Sequence, residues 1–255
     1  MKGLYSFLRH CFGAFFCAVS FLTILPVNGL CHKEAISICA LFFPFVGFCI
    51  GALCASFDLL LFKVTSASAA SAMVVALLVF LTGGMHIDGL ADLTDAIGAS
   101  GDAKRQLEVM RDAHVGAFGV ASVCIVLLLK STLIASLKQA LRWKAICLMP
   151  MLSRWCALLS MFSFPYARGG DGIAFNLRRH GNVQVLISLS YVFLTVVLMF
   201  GWVGFVSFII CSVITLLISA SLTRRFGGLT GDCYGAIVEL CEIVCLICFN
   251  VFTAI

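Results

Sequence analysis

The sequence predicts an all-α fold: a polytopic integral membrane bundle of about seven transmembrane helices, with a re-entrant or interfacial helix at its N-terminal end. Three observations predict it. Of 255 residues, 62% are hydrophobic and 11% charged, with a mean hydropathy of +1.12, a composition that excludes a soluble globular domain. The apolar runs are continuous, not alternating, which selects helices over barrel strands as the spanning element. The chain also holds only twelve acidic residues, and six of them crowd between Thr82 and Gly119.

The apolar segments, in order, are Phe12–Leu25, Ala35–Phe62, Ala69–Gly84, Val115–Leu137, Ala145–Phe164, Val183–Phe200, Val203–Leu222 and Ala236–Phe252. A span takes about 20 residues, so the first is marginal and the third short. The first follows MKGLYSFLRH, which resembles a signal peptide, but the small-x-small cleavage pattern is poor and the segment is expected to be retained. If Phe12–Leu25 does not span, eleven Lys and Arg fall on one side and only four (Lys63, Lys138, Arg142 and Lys144) on the other. That count fits the positive-inside rule, leaves seven spans, and puts the acidic loop, the Arg168–Arg179 loop and the Arg224–Asp232 loop on one cytoplasmic face. A true span with the first residue outside fits almost as well. Gly47 and Gly51 form G-x-x-x-G and are expected to permit close helix packing. Residues 1–255 read as one domain. The net charge of +5 is spread over the loops, so no nucleic-acid partner is implied.

Most of the fourteen cysteines lie in apolar runs, where cysteine behaves as a small hydrophobe. Cys241, Cys245 and Cys248 have a C-x3-C-x2-C spacing but no loop to wrap a cluster, and packing is the expectation there.

Chemistry concentrates in the acidic stretch. Asp88, Asp92 and Asp95 stand at i, i+4 and i+7, one face of a helix, with no Lys or Arg within eight positions. Their mutual repulsion calls for a cation, and hard carboxylate oxygens suit Mg²⁺ or Mn²⁺. The later acids are explained by local pairing, Glu108 with Arg105 or Arg111 and Asp112 with Arg111. His86 either caps and orients the stretch or takes a direct role. Mg²⁺ on few carboxylates usually completes its shell with phosphate oxygens, which points to a diphosphate or phosphodiester substrate. Arg154 lies inside an apolar segment, where a guanidinium has either a functional role or a structural carboxylate partner such as Glu239. Arg168, Arg178 and Arg179 either clamp phosphate or mark the cytoplasmic side. The last loop, GGLTGDCYGA, offers Gly-rich backbone, the Thr230 hydroxyl and the Asp232 carboxylate at a helix start, a phosphate or metal site or a turn capped by Asp232.

GGMHIDGLADLTDAIG, LEVMRDAHVGAFG, the YAR at Tyr166–Arg168 and GGLTGDCYGA, in this order, resemble the cobalamin synthase family, the adenosylcobinamide-GDP ribazoletransferases. The likeness runs from about Pro44 to Ala236. Met85, Ile87, Ala96-Ile97-Gly98 and Ala113 depart from the usual family pattern, and no charged motif position is lost. The resemblance implies a Mg²⁺-dependent transferase in the bacterial cytoplasmic (inner) membrane, with its active site facing the cytoplasm. Its substrates would be adenosylcobinamide-GDP and α-ribazole or α-ribazole 5′-phosphate, and its products a cobamide phosphodiester and GMP. In that reading Asp88, Asp92 and Asp95 hold one or two Mg²⁺. Asp112 or Asp232 takes the proton of the attacking hydroxyl, and His86, Arg111, Arg154, Arg168 and Thr230 contact substrate. Membrane lipid surrounds the protein, and a homo-oligomer is left open.

Two other readings remain. Another Asp-rich membrane transferase could act on a nucleotide or prenyl diphosphate. However, the D-G-x2-A-R opening of CDP-alcohol phosphotransferases is absent here, and the second Asp-rich helix of intramembrane prenyltransferases has no counterpart. An ion-coupled transporter would use intramembrane carboxylates, but these acids gather at one surface and the hydropathy shows no inverted repeat.

Overall fold

The computed structural model describes residues 2–31, 35–167 and 181–254. The described residues contain eleven α-helices: α1 (Lys2–Leu22), α2 (Ile36–Cys39), α3 (Phe43–Leu61), α4 (Ala67–Leu81), α5 (Met85–Gly98), α6 (Ala103–Val109), α7 (Ala117–Ala135), α8 (Gln139–Ser163), α9 (Gly181–Phe200), α10 (Trp202–Phe226) and α11 (Gly231–Ala254). Among the described residues, six helical stretches are long and apolar enough to cross a membrane, and a seventh span exists if α4 and α5, bent by 89°, are one broken span. The protein is an integral membrane bundle. The apolar part of α1, Arg9–Leu22, is too short to count among these spans. It packs its aromatic rings against the start of α3, Phe15 on Phe45 and Phe21 stacked on Phe43 at 5.4 Å. A disulfide from Cys17 to Cys31, which the sequence did not lead us to expect, ties α1 to the loop before α2.

The central helix is α8, buried along most of its length. Its closest neighbour is α3, and the G-x-x-x-G there works as expected. A Cβ on Gly47 would lie 2.3 Å from the Pro150 carbonyl oxygen, and one on Gly51 would lie 2.4 Å from that of Cys147. The two backbones are therefore in direct contact, where dispersion is the main force holding helices together in lipid.

α7, α9 and α11 all end at the same pole of the bundle, away from the acidic stretch. Each leaves unmet carbonyls there. Lys138 donates to Thr253 O of α11 at 2.7 Å, Arg142 to Ile134 O of α7 at 2.8 Å, and Lys144 to Met199 O of α9 at 3.1 Å. Three of the four basic residues that the charge count placed opposite the majority thus complement helix C-termini. Arg142 also corrects the loop assignment. It is buried in α8, bidentate to Asp58 at 2.8 and 2.7 Å and bonded to Ser71 Oγ at 2.9 Å. A guanidinium this far from water needs such a partner.

Candidate active site

The turn that creates the site is Thr82-Gly83-Gly84. Gly83 and Gly84 have φ of 62° and 72°, a left-handed conformation that glycine adopts without Cβ strain. They return amide bonds to Phe80 O and Val79 O, ending α4 and sending α5 off at a near right angle. α5 buries His86, Gly89, Leu90, Leu93 and Ala96 against α7 and α11, leaving Asp88 exposed in its first turn, where a carboxylate complements the helix dipole.

α5 and α11 touch backbone to backbone. A Cβ on Gly89 would lie 2.8 Å from Asp232 O, and one on Gly235 would lie 3.2 Å from His86 Cα. Glycine at both positions lets the start of α11 sit against α5. Behind that contact, Thr230 is fully buried, and its hydroxyl accepts from Cys233 N at 3.3 Å and lies 3.3 Å from Asp232 Oδ2. Thr230, not Asp232, accepts the N-cap hydrogen bond of α11. The preceding loop is zipped to the segment after α8: Ala167 N donates to Leu229 O at 2.9 Å and Leu229 N to Pro165 O at 2.8 Å. Arg168, Arg178 and Arg179 lie outside the described residues.

A cavity of about 280 Å³ opens between α1, α3, α5, α8 and α11. Its lining combines polar residues, His86, Asp88, Arg154, Asp232 and Tyr234, with apolar ones, Phe21, Leu22, Phe43, Ala157, Met161 and Val238. On the other flank of α5 runs a wider groove of about 710 Å³, lined by Gly83, Gly84, Ile87, Ala91, Val115 and Val120. Asp88 lines both.

Arg154 is only 1% exposed and belongs to a buried ionic network. It donates to Glu242 Oε1 and, at 3.0 Å, to Ser153 Oγ. Lys130 donates to Glu242 Oε2 and to Glu239 Oε2, the latter at 2.6 Å. Two cations thus face two carboxylates, the neutral arrangement that burial demands. The alternative of a structural carboxylate partner for Arg154 holds, with Glu242 in place of Glu239, which answers Lys130. Arg154 Nη2 also stands 3.4 Å from His86 Nδ1. A guanidinium only donates, so Nδ1 accepts and the ring proton sits on Nε2. Arg154 Nε has no hydrogen-bond partner. An unmet buried donor beside a cavity is what an arriving acceptor oxygen would satisfy.

The structure thus gathers His86, Asp88, Arg154 and Asp232, with Thr230 behind them. Other expected site residues stand apart. Asp95 accepts from Gly116 N at 2.7 Å and Gly119 N at 2.8 Å, capping α7. Replacing it with Ala is expected to cost about 1 kcal/mol, the worth of such a cap, read as a lower melting midpoint in detergent. Asp92 is half-buried one turn beyond Asp88. Arg111 is exposed, and Asp112, in the loop before α7, pairs with the His114 ring at 2.7 Å and the His114 amide at 3.0 Å, not with Arg111 as the sequence suggested. Those hydrogen bonds, the ring's first, hold the Asp112 carboxyl below the usual carboxylate range. Glu108 pairs with Arg105 at 3.3 Å. Among the described residues, no group of three or more His, Cys, Asp or Glu side chains is placed to hold a metal ion, Cys241, Cys245 and Cys248 included.

Lys130 and Glu242 were missed. The signal was present: each is a charged residue inside an apolar span, and Glu242 sits three residues from Glu239 on one face of α11.

Residues 14–250 match the family described as cobalamin-5-phosphate synthase. The chain is 34% identical over 226 residues to the adenosylcobinamide-GDP ribazoletransferase of Desulforamulus reducens, covering 88% of this chain and 91% of the relative. It is 35% identical to that of Geotalea daltonii over 91% of this chain and 94% of the relative. With that of Desulfitobacterium hafniense the identity is 37%, over 90% and 93%. No solved structure matches the chain.

Proposed function

The chain belongs to the cobalamin-5-phosphate synthase family, and from that premise we propose that it is the membrane transferase that closes the cobalamin nucleotide loop. It joins adenosylcobinamide-GDP to α-ribazole or α-ribazole 5′-phosphate. The ribazole 3′-hydroxyl attacks the phosphorus bonded to the cobinamide arm, the bond from that phosphorus to the GMP oxygen breaks, and GMP departs.

One observation carries the reading from family to site. Two motif blocks far apart in sequence meet where Gly89 abuts the Asp232 backbone, and Asp88, Asp232 and Arg154 line one cavity. Phosphoryl transfer asks for charge balance and positioning more than for covalent catalysis. Arg154, through its unmet Nε–H, offers a hydrogen bond to an oxygen in the cavity. Asp232, which lines the cavity, takes the proton of the attacking hydroxyl in this reading, and Thr230 holds the start of its helix. Asp112, exposed and bonded to His114, is the weaker candidate for that proton.

The donor chemistry of this lining fits Mg²⁺. Asp88 and Asp232 present hard oxygens, with Asp92 one turn along α5, and substrate phosphate oxygens would complete the shell. Asp95, expected from its spacing to join them, already has both oxygens on α7 amides. When bound, Mg²⁺ would neutralise the diphosphate and make GMP a better leaving group. The charge count supports placing this end of the bundle on the cytoplasmic side of the inner membrane.

The test is GMP release from adenosylcobinamide-GDP by the purified protein in lipid, with α-ribazole 5′-phosphate, before and after chelation. GMP should appear in step with a new cobamide, vanish on chelation and return with Mg²⁺. No GMP while a relative runs actively alongside would refute the transfer reaction, and turnover indifferent to chelation would refute the metal.

A further inference from the structure

Resting on that reading, we infer that the 280 Å³ cavity is the acceptor subsite, built for a nucleoside with a flat, apolar base, and that the corrinoid nucleotide binds outside it. Size is the first argument. This volume is at the small end of ligand pockets. It accommodates one nucleoside-sized group, whereas a corrinoid ring is several times larger and must lie elsewhere.

Chemistry decides which nucleoside. Both substrates carry one: guanosine on the donor and ribazole on the acceptor. Guanine has hydrogen-bonding groups along most of its edge, and each one buried needs a partner. Six of the lining residues, Phe21, Leu22, Phe43, Ala157, Met161 and Val238, have no side-chain donor or acceptor to give. A benzimidazole, whose one unsubstituted ring nitrogen is its sole hydrogen-bonding atom, loses almost nothing there. Phe21 and Phe43, stacked on each other at 5.4 Å with 5° between their planes, contribute two parallel aromatic rings to the lining.

Orientation follows from the polar part of the lining, Asp88, Asp232, His86 and Arg154. A nucleoside with its base against the apolar residues turns its ribose toward these polar ones, which brings the attacking hydroxyl toward Asp232 and Asp88. The cavity also suits an uncharged ribonucleoside. Arg154 is already balanced by Glu242, so the lining has no net positive charge to pull a phosphate inward. Asp88, shared with the outer groove, is then the point at which donor and acceptor meet.

The experiment separates the two binding events. Equilibrium dialysis in lipid nanodiscs would measure α-ribazole and adenosylcobinamide-GDP separately on the wild type and on Ala157→Phe, which adds bulk to the apolar part of the lining. The variant is expected to weaken α-ribazole binding about tenfold or more, the scale of a lost apolar contact surface, with adenosylcobinamide-GDP binding unchanged. Met161→Ala, which removes bulk from the same part, should also weaken α-ribazole selectively, and it replaces the first variant should that one fail to fold. Guanosine should not compete with α-ribazole. Unchanged α-ribazole binding, an equal loss of both substrates, or competition by guanosine would overturn the assignment. A wild type that binds α-ribazole and the donor as described yet releases no GMP would refute the transfer reaction and leave the subsite standing.

Discussion

Asp88→Asn is expected to lower GMP formation by about 10²–10³-fold, the scale for removing one preorganised electrostatic group from an active site, while the protein stays folded. The structure separates the two effects. Asp88 is exposed in the first turn of α5, so losing its charge removes only a helix-dipole term of about 0.3–1 kcal/mol. It also lines both the inner cavity and the outer groove, so its carboxylate faces whatever occupies either. Rate and melting midpoint should therefore part company. Asp95→Ala is expected to do the opposite, lowering the midpoint more than the rate, because its carboxylate is tied to the Gly116 and Gly119 amides. Initial rates of GMP release at saturating Mg²⁺, set beside melts in detergent, make the comparison. A rate for Asp88→Asn within threefold of wild type would remove Asp88 from the site.

The contrast between these two aspartates marks how far the sequence could be read. Spacing placed Asp88, Asp92 and Asp95 on one helix, and they are on one helix. Spacing along a helix says nothing of what stands opposite. The partner of Asp95 is the start of α7, which the chain reaches only after α6 and two loops; the neighbour of Asp88 is Asp232, more than a hundred residues away. Only the glycines hinted at this. Gly89 and Gly235 read as ordinary members of Gly-rich motifs, yet each marks the point where one backbone lies on another. Local features were more legible: the short third span, the G-x-x-x-G contact of α3 with α8, and the shortness of the first apolar segment. Each depends on length and side-chain size alone. Arg142 was misplaced because it lies at a segment boundary, where composition cannot tell a loop from the first turn of a helix.

Depth, unlike identity, could have paired the buried charges. At 1.5 Å per residue, Glu242 lies about 16 Å into α11 from its site end, Lys130 about 20 Å into α7, and Arg154 about 14 Å from the site end of α8. Charges at similar depth in adjacent spans are each other's cheapest partners. Lys130→Met tests the consequence. It leaves Glu239 and Glu242 facing Arg154 alone, one buried negative charge in excess. Removing one partner of a buried pair costs about 3–5 kcal/mol, against a total stability of about 5–15 kcal/mol. Little of the variant is expected to survive as a monodisperse species after mild heating in detergent. Lys130→Met with Glu239→Gln restores neutrality and keeps Glu242 on Arg154, so it should recover most of the lost stability, and turnover with it. A single variant as stable as wild type would mean that the network does not carry these charges. Recovered stability without recovered turnover would mean that Lys130 does more than balance Glu239 and Glu242. Arg154, still held by Glu242 at the cavity wall, would then not be enough for catalysis.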